Sequence, residues 1–283
     1  MKANLQAEKA DALLRINAEL VEQILVRFLQ AEIHRTGFRR AVIGLSGGID
    51  SSTVVYLAAR ALGPENVLAV TMPYKTSSDE TRRHSRLVIE DLGVTTLDLP
   101  ITDQVDAYFS RFPEVSKLRL ANKCARERMT ILYDQSVAFE GLVVGTSNKT
   151  EMLLGYTTLF GDMASALNPV GDLYKTQLRA LARHLGVPAP ILEKPPTADL
   201  WQGQTDESEL GFGYEEVDRL LVLWVDQRWR KNELLEIGFD AAFVDRVAEM
   251  VRRNHYKRRM PVIAKLSNRT MDRDFRYARD WGT

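Results

Sequence analysis

The sequence predicts an α/β fold, a doubly wound parallel sheet with helices on both faces. Three observations predict it. Four short apolar runs, at residues 41–45, 67–72, 94–99 and 141–145, are bounded by glycine or proline. Stretches with apolar residues at helical spacing separate them, so strands alternate with helices, the pattern of parallel crossover units. The first run also passes through Ser46, Gly47 and Gly48 into a helical pattern that starts at Ser51 and carries Val54, Val55, Leu57, Ala58, Ala61 and Leu62. A strand, a glycine turn and a helix start together form an anion site. Backbone N–H groups converge there, the helix terminus adds partial positive charge, and glycine lets a phosphate approach the backbone. Ligands of such sheets sit at the carboxyl ends of the strands, so the loops after Leu45, Met72 and Gly145 are expected to share one site.

Taken in order, residues 5–36 read as one long helix. Leu13, Leu20, Ile24, Phe28 and Leu29 recur at helical spacing, and Gly37 ends the pattern. Its expected role is to cover a sheet or a partner subunit. Ser78 precedes a helical stretch that reaches Asp91 and is closed by Gly93. Residues 102–140 form a helical insert with Leu118, Ala121, Ala125, Met129 and Leu132 on one face and Lys117, Arg119, Lys123, Arg126 and Arg128 making it basic. By composition alone that charge is solvated surface or a ligand site. Residues 146–170 have weak periodicity and read as an active-site loop with a short helix near 150–154. An amphipathic helix follows over 173–185, then an irregular loop over 193–213 and helical patterns near 214–235 and 240–254. The 283 residues read as one domain with a helical C-terminal part.

Lys and Arg together equal Asp and Glu in number, 38 each, so no global field draws the chain to nucleic acid. A single cysteine, Cys124, excludes an intrachain disulfide and fits a reducing, cytoplasmic setting. No run of apolar residues is long enough to span a membrane.

The turn lacks the lysine of a Walker A loop. Asp50 stands there instead, and a carboxylate beside a phosphate cradle repels it unless a cation lies between, which implies Mg²⁺. Glu151, after the fourth run, is the second candidate metal ligand. Thr146 is a candidate ATP contact or a helix cap. The order strand, Ser-Gly-Gly-x-Asp-Ser, helix resembles the pyrophosphate loop of ATP pyrophosphatases, which split ATP between its α and β phosphates.

Seven motifs are similar, in the same order, to those of NAD synthetases: Ser46-Gly-Gly-Ile-Asp-Ser51, Ala125-Arg-Glu-Arg-Met129, Gly145-Thr-Ser-Asn-Lys-Thr-Glu151, Leu173-Tyr-Lys-Thr-Gln177, Pro196-Thr-Ala-Asp-Leu200, Gln204-Thr-Asp-Glu207 and Tyr256-Lys-Arg-Arg-Met-Pro261. The likeness spans about residues 20–262. It implies an adenine nucleotide alpha hydrolase-like fold, a homodimer, and an AMP-forming ligase with ATP and Mg²⁺ as cofactors. In the implied reaction, ATP adenylates the carboxylate of deamido-NAD and pyrophosphate leaves. Ammonia then displaces AMP to give NAD. By the same resemblance, Gly44, Leu45, Ser46, Gly47, Gly48, Ile49, Asp50 and Ser51 hold the ATP phosphates together with Thr146, Lys175 and Thr197. Asp50, Glu151 and Lys175 are the catalytic set, with Asp50 and Glu151 on the metal. Arg126, Asp162, Tyr256 and Lys257 bind the dinucleotide.

The chain departs from the ammonia-using pattern at Leu159, where a lysine is common, at Ala166, where a second aspartate is common, and at Tyr256, where a histidine is common. The segment 159–164 is similar to the synthetase domain of glutamine-dependent enzymes. About 40 residues precede the loop, so a glutaminase domain is not expected within the chain, and a separate glutaminase partner stays open. Apolar stripes on the N-terminal helix and the 102–140 insert are the expected dimer surfaces. Two other readings are another adenylating amidase or thiolase of the superfamily, and a nucleotide-binding regulatory module without catalysis. Neutral charge weighs against a tRNA thiolase, and Asp50 with Glu151 weighs against a mere binder.

Overall fold

A computed structural model describes residues 9–197, 206–259 and 261–268. Its centre is a parallel sheet of four strands, β1 (Arg40–Gly44), β2 (Val67–Thr71), β3 (Thr95–Asp98) and β4 (Gly141–Val143), in the order β3-β2-β1-β4. Ala41 pairs with Val67 on one side and Leu142 on the other, which puts β1 at the centre. β1 and β2 alternate their side chains between two apolar cores. Ala41, Ile43, Val67 and Ala69 enter one core; Val42, Leu68 and Val70 enter the other. Both faces are thus covered, as near-continuous apolar strands require.

On the first face lie α2 (Ala18–Arg35), α3 (Ile49–Leu62), α4 (Asp79–Leu92) and α8 (Lys175–Leu185), which supply Leu29, Ile33, Val54, Val88 and Leu181 to the core. On the second lie α5 (Thr102–Phe109) and α6 (Lys117–Ala138), with Val105 and Cys124. The edge strand β3 is mostly exposed and shorter than the apolar run around it. β4 is also short. Beyond it the chain pairs with a returning segment, as Gly145 N–H donates to the Leu167 carbonyl at 2.8 Å.

One expected helix and two expected helical stretches are divided. Residues 5–36 are not one helix in their described part: residues 9–14 form α1, and α2 begins after Asn17, whose side chain accepts from Leu20 N–H at 3.1 Å. An asparagine that caps a helix competes with helix continuation through it. The break lets the two pieces serve different cores. Leu29 and Ile33 of α2 pack on the sheet, while Ala10, Leu13 and Leu14 join a second apolar cluster, and Asp11 takes Arg219 at 2.6 Å. The 102–140 insert divides at Pro113, with Ser116 capping α6. The 214–235 pattern divides into α11 (Tyr214–Leu221), a π-helical turn (Val222–Asp226) and α12 (Lys231–Glu236), with Arg228 at φ 57 between them.

The second cluster joins α1, α7 (Lys149–Leu154), α11, α12 and α13 (Ala241–Arg253). α9 (Ala189–Glu193) follows α8, and α10 (Asp206–Leu210) lies within the stretch expected to be irregular, of which residues 198–205 fall outside the described set. Among the described residues no helix is long and apolar enough to cross a membrane.

Candidate active site

At the carboxyl ends of the strands lies a cavity of about 1160 Å³. The loops after β1, β2 and β4 all reach it, as the topology requires. Every candidate ATP-, metal- or dinucleotide-binding residue lines it except Gly47. Gly47 has φ +73, and a Cβ there would lie 2.4 Å from the Thr81 carbonyl oxygen and 2.9 Å from Ser85 Oγ. It is glycine so that α4 can close on the turn, rather than for a ligand's approach.

The turn is held from within. Ser51 Oγ accepts from Ser46 N–H at 3.2 Å and lies 3.0 Å from Ser46 Oγ, which accepts from Gly48 N–H at 3.3 Å. No side chain caps α3 at Gly48. The positive end of a 14-residue helix therefore faces the cavity, a suitable place for phosphate.

Asp50, Glu151 and Lys175 meet. Lys175 Nζ lies 2.5 Å from Asp50 Oδ2 and 3.1 Å from Glu151 Oε1, and its side chain is 4% exposed. The lysine stands between the two acids, so the acids are bridged by a cation of the protein itself. Asn148 completes the arrangement. Its Nδ2 donates to Asp50 Oδ1 at 2.9 Å, and its Oδ1 accepts from Glu151 N–H at 3.0 Å as the cap of α7. Asn148, not Thr146, is therefore the cap; Thr146 is half-buried in the cavity wall.

The lysine and Glu151 are fixed by a residue the sequence did not single out. Asp218 is fully buried and accepts from Thr150 Oγ1 at 2.6 Å, Thr176 N–H at 2.8 Å and Thr176 Oγ1 at 2.8 Å. Thr150 Oγ1 in turn accepts from Lys175 N–H at 3.0 Å. One carboxylate thus ties the first turns of α7 and α8, the turns that carry Glu151 and Lys175. A buried charge with three donors is far less costly than one with fewer.

Burial pushes the Glu151 carboxyl up, to about 8; Lys175 opposes the shift, and the charges of Asp50 and Asp206 add to it. For Lys175, burial lowers the pKa, but Asp50 and Glu151 outweigh it and the ammonium is held above its ordinary value. Asp206 is also buried and raised by desolvation. Its Oδ2 accepts from Tyr214 O–H at 3.0 Å, and the Tyr214 ring lies 5.1 Å from Lys175 Nζ. Asp206 and Tyr214 were not singled out. Asp206 sits in the quoted Gln204-Thr-Asp-Glu207 motif, and that was the available signal.

The other end of the cavity is built from cations on carbonyls. Arg126 donates from Nε and Nη2 to the Leu159 carbonyl at 3.3 and 3.2 Å. Lys257 Nζ donates to the Gly155 and Thr157 carbonyls at 2.7 and 2.8 Å. Asp162 accepts from Thr158 N–H at 2.6 Å, and Tyr256 is 59% exposed. These four residues share a wall without bonding one another in pairs. Burial lowers the Lys257 pKa, opposed by Asp162. Leu159 offers Arg126 its carbonyl, and Ala166 N–H donates to the Val143 carbonyl at 2.9 Å, extending the sheet. Thr197 lines the cavity near Lys194, whose Nζ donates to Thr81 Oγ1 at 2.8 Å.

Residues 21–261 match the family model described as NAD synthase. The chain is 60% identical over 269 residues to the NH(3)-dependent NAD(+) synthetase of Trichlorobacter lovleyi, covering 95% of this chain and 98% of the relative. Two solved structures are similar at 31% identity. One is the NH3-dependent NAD synthetase of Campylobacter jejuni in complex with nitrate, with a TM-score of 0.74 over 89% of this chain and 100% of that one. The other is the NMN synthetase of Francisella tularensis, with a TM-score of 0.78 over 88% of this chain and 99% of that one.

Proposed function

Because this chain belongs to the NAD synthase family, whose members amidate deamido-NAD to NAD at the expense of ATP, we propose that it joins free ammonia to deamido-NAD through an adenylated carboxylate, releasing pyrophosphate and then AMP. The observation that carries the reading is the identity of 60% across 95% of the chain to an ammonia-dependent synthetase. The Asp50–Lys175–Glu151 cluster, at the start of the helix that follows the glycine turn, supports it.

A carboxylate is a poor electrophile, and esterifying it to AMP supplies a leaving group. The chain's part is to position the reactants and neutralise charge. The N–H groups of the turn from Gly44 to Ser51, with Thr146, Thr197 and Lys175, hold the ATP phosphates. Asp50 and Glu151 fit a Mg²⁺ ion that arrives with ATP. They are two cavity-facing carboxylates on neighbouring strand ends, and Mg²⁺ commonly takes one or two carboxylates beside phosphate oxygens and water. When bound, the ion would neutralise the departing pyrophosphate. Lys175, which bridges the two acids, would be the protein cation nearest to phosphate oxygens held there. Arg126, Asp162, Tyr256 and Lys257 hold the dinucleotide.

Cys124 is the chain's one thiol. It is fully buried and burial raises its pKa, so it does not serve as a glutaminase nucleophile. The 283 residues act as one synthetase unit in a reducing cytoplasm, and a separate glutaminase is a partner to look for rather than a need. Two copies pair through α2 and α6, which carry exposed Leu20 and Ile24, and Leu118 and Val137.

The test is incubation of the purified protein with ATP, Mg²⁺, ammonium and deamido-NAD. The expected products are NAD, AMP and pyrophosphate. ADP and phosphate, or turnover of nicotinate mononucleotide in preference to the dinucleotide, would replace the reading.

A further inference from the structure

The short helix α7 joins the two ends of the cavity. Its first turn carries Glu151, and the segment just past its end lines the opposite wall through Gly155, Thr157 and Asp162. Six residues are too few for a helix to hold itself, and the last carbonyls of any helix lack partners within it. Each of these carbonyls nevertheless has a donor. The Glu151 carbonyl accepts from Gly155 N–H. Arg258 Nη1 donates to the Met152 and Leu153 carbonyls, both at 2.9 Å. Asn254 Nδ2 donates to the Leu154 carbonyl at 2.9 Å, and Lys257 Nζ holds those of Gly155 and Thr157. The side-chain donors all come from the end of α13 and the turn His255–Arg258 that follows it. The approach is close. Gly155 has φ +71, and a Cβ there would lie 2.1 Å from Asn254 Cβ, so a side chain at 155 would push the two helix ends apart.

The two cations of that turn differ in what else they can reach. Lys257 lines the cavity and Arg258 does not. Arg258 Nη2 donates instead to the Val251 carbonyl at 3.1 Å, within α13. Its guanidinium therefore spans the carbonyl ends of two helices, where the helix dipoles favour a cation and a planar fork serves several acceptors at once. Burial lowers the Arg258 pKa and no acid opposes it, whereas Asp162 opposes the shift of Lys257. Arg258 is thus placed for carbonyls rather than for an ion pair. It stands away from the substrate, yet it holds the helix that carries Glu151 and is the next residue after Lys257.

We propose that Arg258 is a positioning residue for the amidation. It staples α7 from behind, and by satisfying that helix's carbonyls it leaves Lys257 able to exchange its own for the dinucleotide. The inference rests on the reading of the chain as an amidating enzyme that binds deamido-NAD beside Lys257. Without the guanidinium, the Met152 and Leu153 carbonyls lose their side-chain donor. The Lys257 ammonium, already on the carbonyls that follow, is the donor at hand to replace it. Loss of Arg258 therefore acts twice, by loosening α7 and by holding Lys257 back from the substrate.

The experiment is a double-mutant cycle on the full chain. NAD formation is followed with varied deamido-NAD at saturating ATP, Mg²⁺ and ammonium, rates are taken per folded molecule, and the melting temperature is recorded. Arg258→Met is expected to raise the KM for deamido-NAD roughly tenfold and to lower turnover by a similar factor, with the KM for ATP within about twofold of the parent. Lys257→Met raises the same KM by itself. In the Lys257→Met background, Arg258→Met should change that KM by less than about twofold while still lowering turnover, because no ammonium is left to be held back. Arg258→Lys keeps the charge but not the fork. It should fall between the parent and Arg258→Met, and it carries the same cycle if the methionine variant does not fold. A lower melting temperature with both kinetic constants unchanged would reduce Arg258 to a structural clamp and overturn the proposal. Effects on the deamido-NAD KM that multiply in the double variant would also overturn it, since Arg258 would then not act through Lys257. A parent protein that forms no NAD from deamido-NAD would overturn the amidation reading itself, and the positioning role with it.

Discussion

The two ends of the cavity are built by opposite means. At the end beneath the glycine turn, charged side chains bond one another, and their supports are themselves buried: Lys175 to Asp50 and Glu151, Asn148 to Asp50, Asp218 to both threonines. At the far end, Arg126 and Lys257 cap main-chain carbonyls, and Tyr256 is mostly exposed. The first end is set before a ligand arrives, because its lysine is buried and its two acids, 19% and 15% exposed, are held by that lysine. The second holds its cations on weak acceptors that a phosphate or carboxylate can outbid. The difference assigns chemistry to the first end and recognition to the second. Substitutions should therefore act on turnover at one end and on binding at the other.

The largest effect is expected for Lys175→Met. It leaves Asp50 and Glu151 facing each other without a counter-ion, and removing one partner of a buried pair costs about 3–5 kcal/mol of stability. NAD formation should fall by roughly 100- to 1000-fold. Added Mg²⁺ should raise the melting temperature of the variant more than that of the parent, since the divalent ion no longer competes with the lysine. Calorimetry with and without Mg²⁺ checks this. Equal rises would show that the two acids are not a cation site.

Asp218→Asn comes next. The amide keeps one acceptor and the shape but loses the charge that serves three donors, a loss of about 2 kcal/mol. Turnover is expected to drop roughly tenfold or more with the KM values near normal, because α7 and α8 carry Glu151 and Lys175 on the turns it ties. A rise in KM with unchanged turnover would move Asp218 to the recognition side of the comparison.

How far these ends were legible in the sequence follows from chain separation. Asp50 sits in a turn whose neighbours announce it, and Glu151 follows a strand end, so topology alone carried both to one place. The division of the chain into alternating strands and helices was legible for the same reason: each element shows its own period over a few residues. Asp218 lies in an amphipathic helix, and its three bonds reach residues 42 and 68 positions away. No local pattern distinguishes it from a surface acid. Asn148 stood inside a quoted motif, but its bond to Asp50 crosses 98 positions. The break at Asn17 was missed because apolar spacing continues across it while the pieces enter different cores.

The electrostatics of the buried end predict a pH dependence. Glu151 is held at about 8 in the folded chain against 4.5 as the ordinary value, so between those values the folded state binds the extra proton. Stability from this group therefore falls as pH rises from about 4.5 to about 8, and is flat outside that window. Urea titrations without metal should show the decline, and Glu151→Gln should flatten it. Asp206, raised in the same direction, leaves a residual slope in that variant. A slope unchanged by the substitution would mean that Glu151 does not hold the proton.

The smallest effect is expected at the recognition end, for Arg126→Lys. The guanidinium reaches the Leu159 carbonyl through two nitrogens from an exposed position on α6. A lysine keeps the charge but not the planar fork, and exposed charges contribute little to folding. The melting temperature should stay within about a degree of the parent, in keeping with a surface substitution of a few tenths of a kcal/mol. The KM for deamido-NAD should rise a few-fold, with turnover and the KM for ATP unchanged, as expected for a group that binds substrate and transition state alike. Arg126→Ala, which removes the charge as well, should raise the same KM by roughly tenfold more. If either variant lowered turnover while leaving the dinucleotide KM alone, Arg126 would belong with Lys175 and Asp50. The division of the cavity into a chemical end and a recognition end would then fail at the residue chosen to mark its boundary.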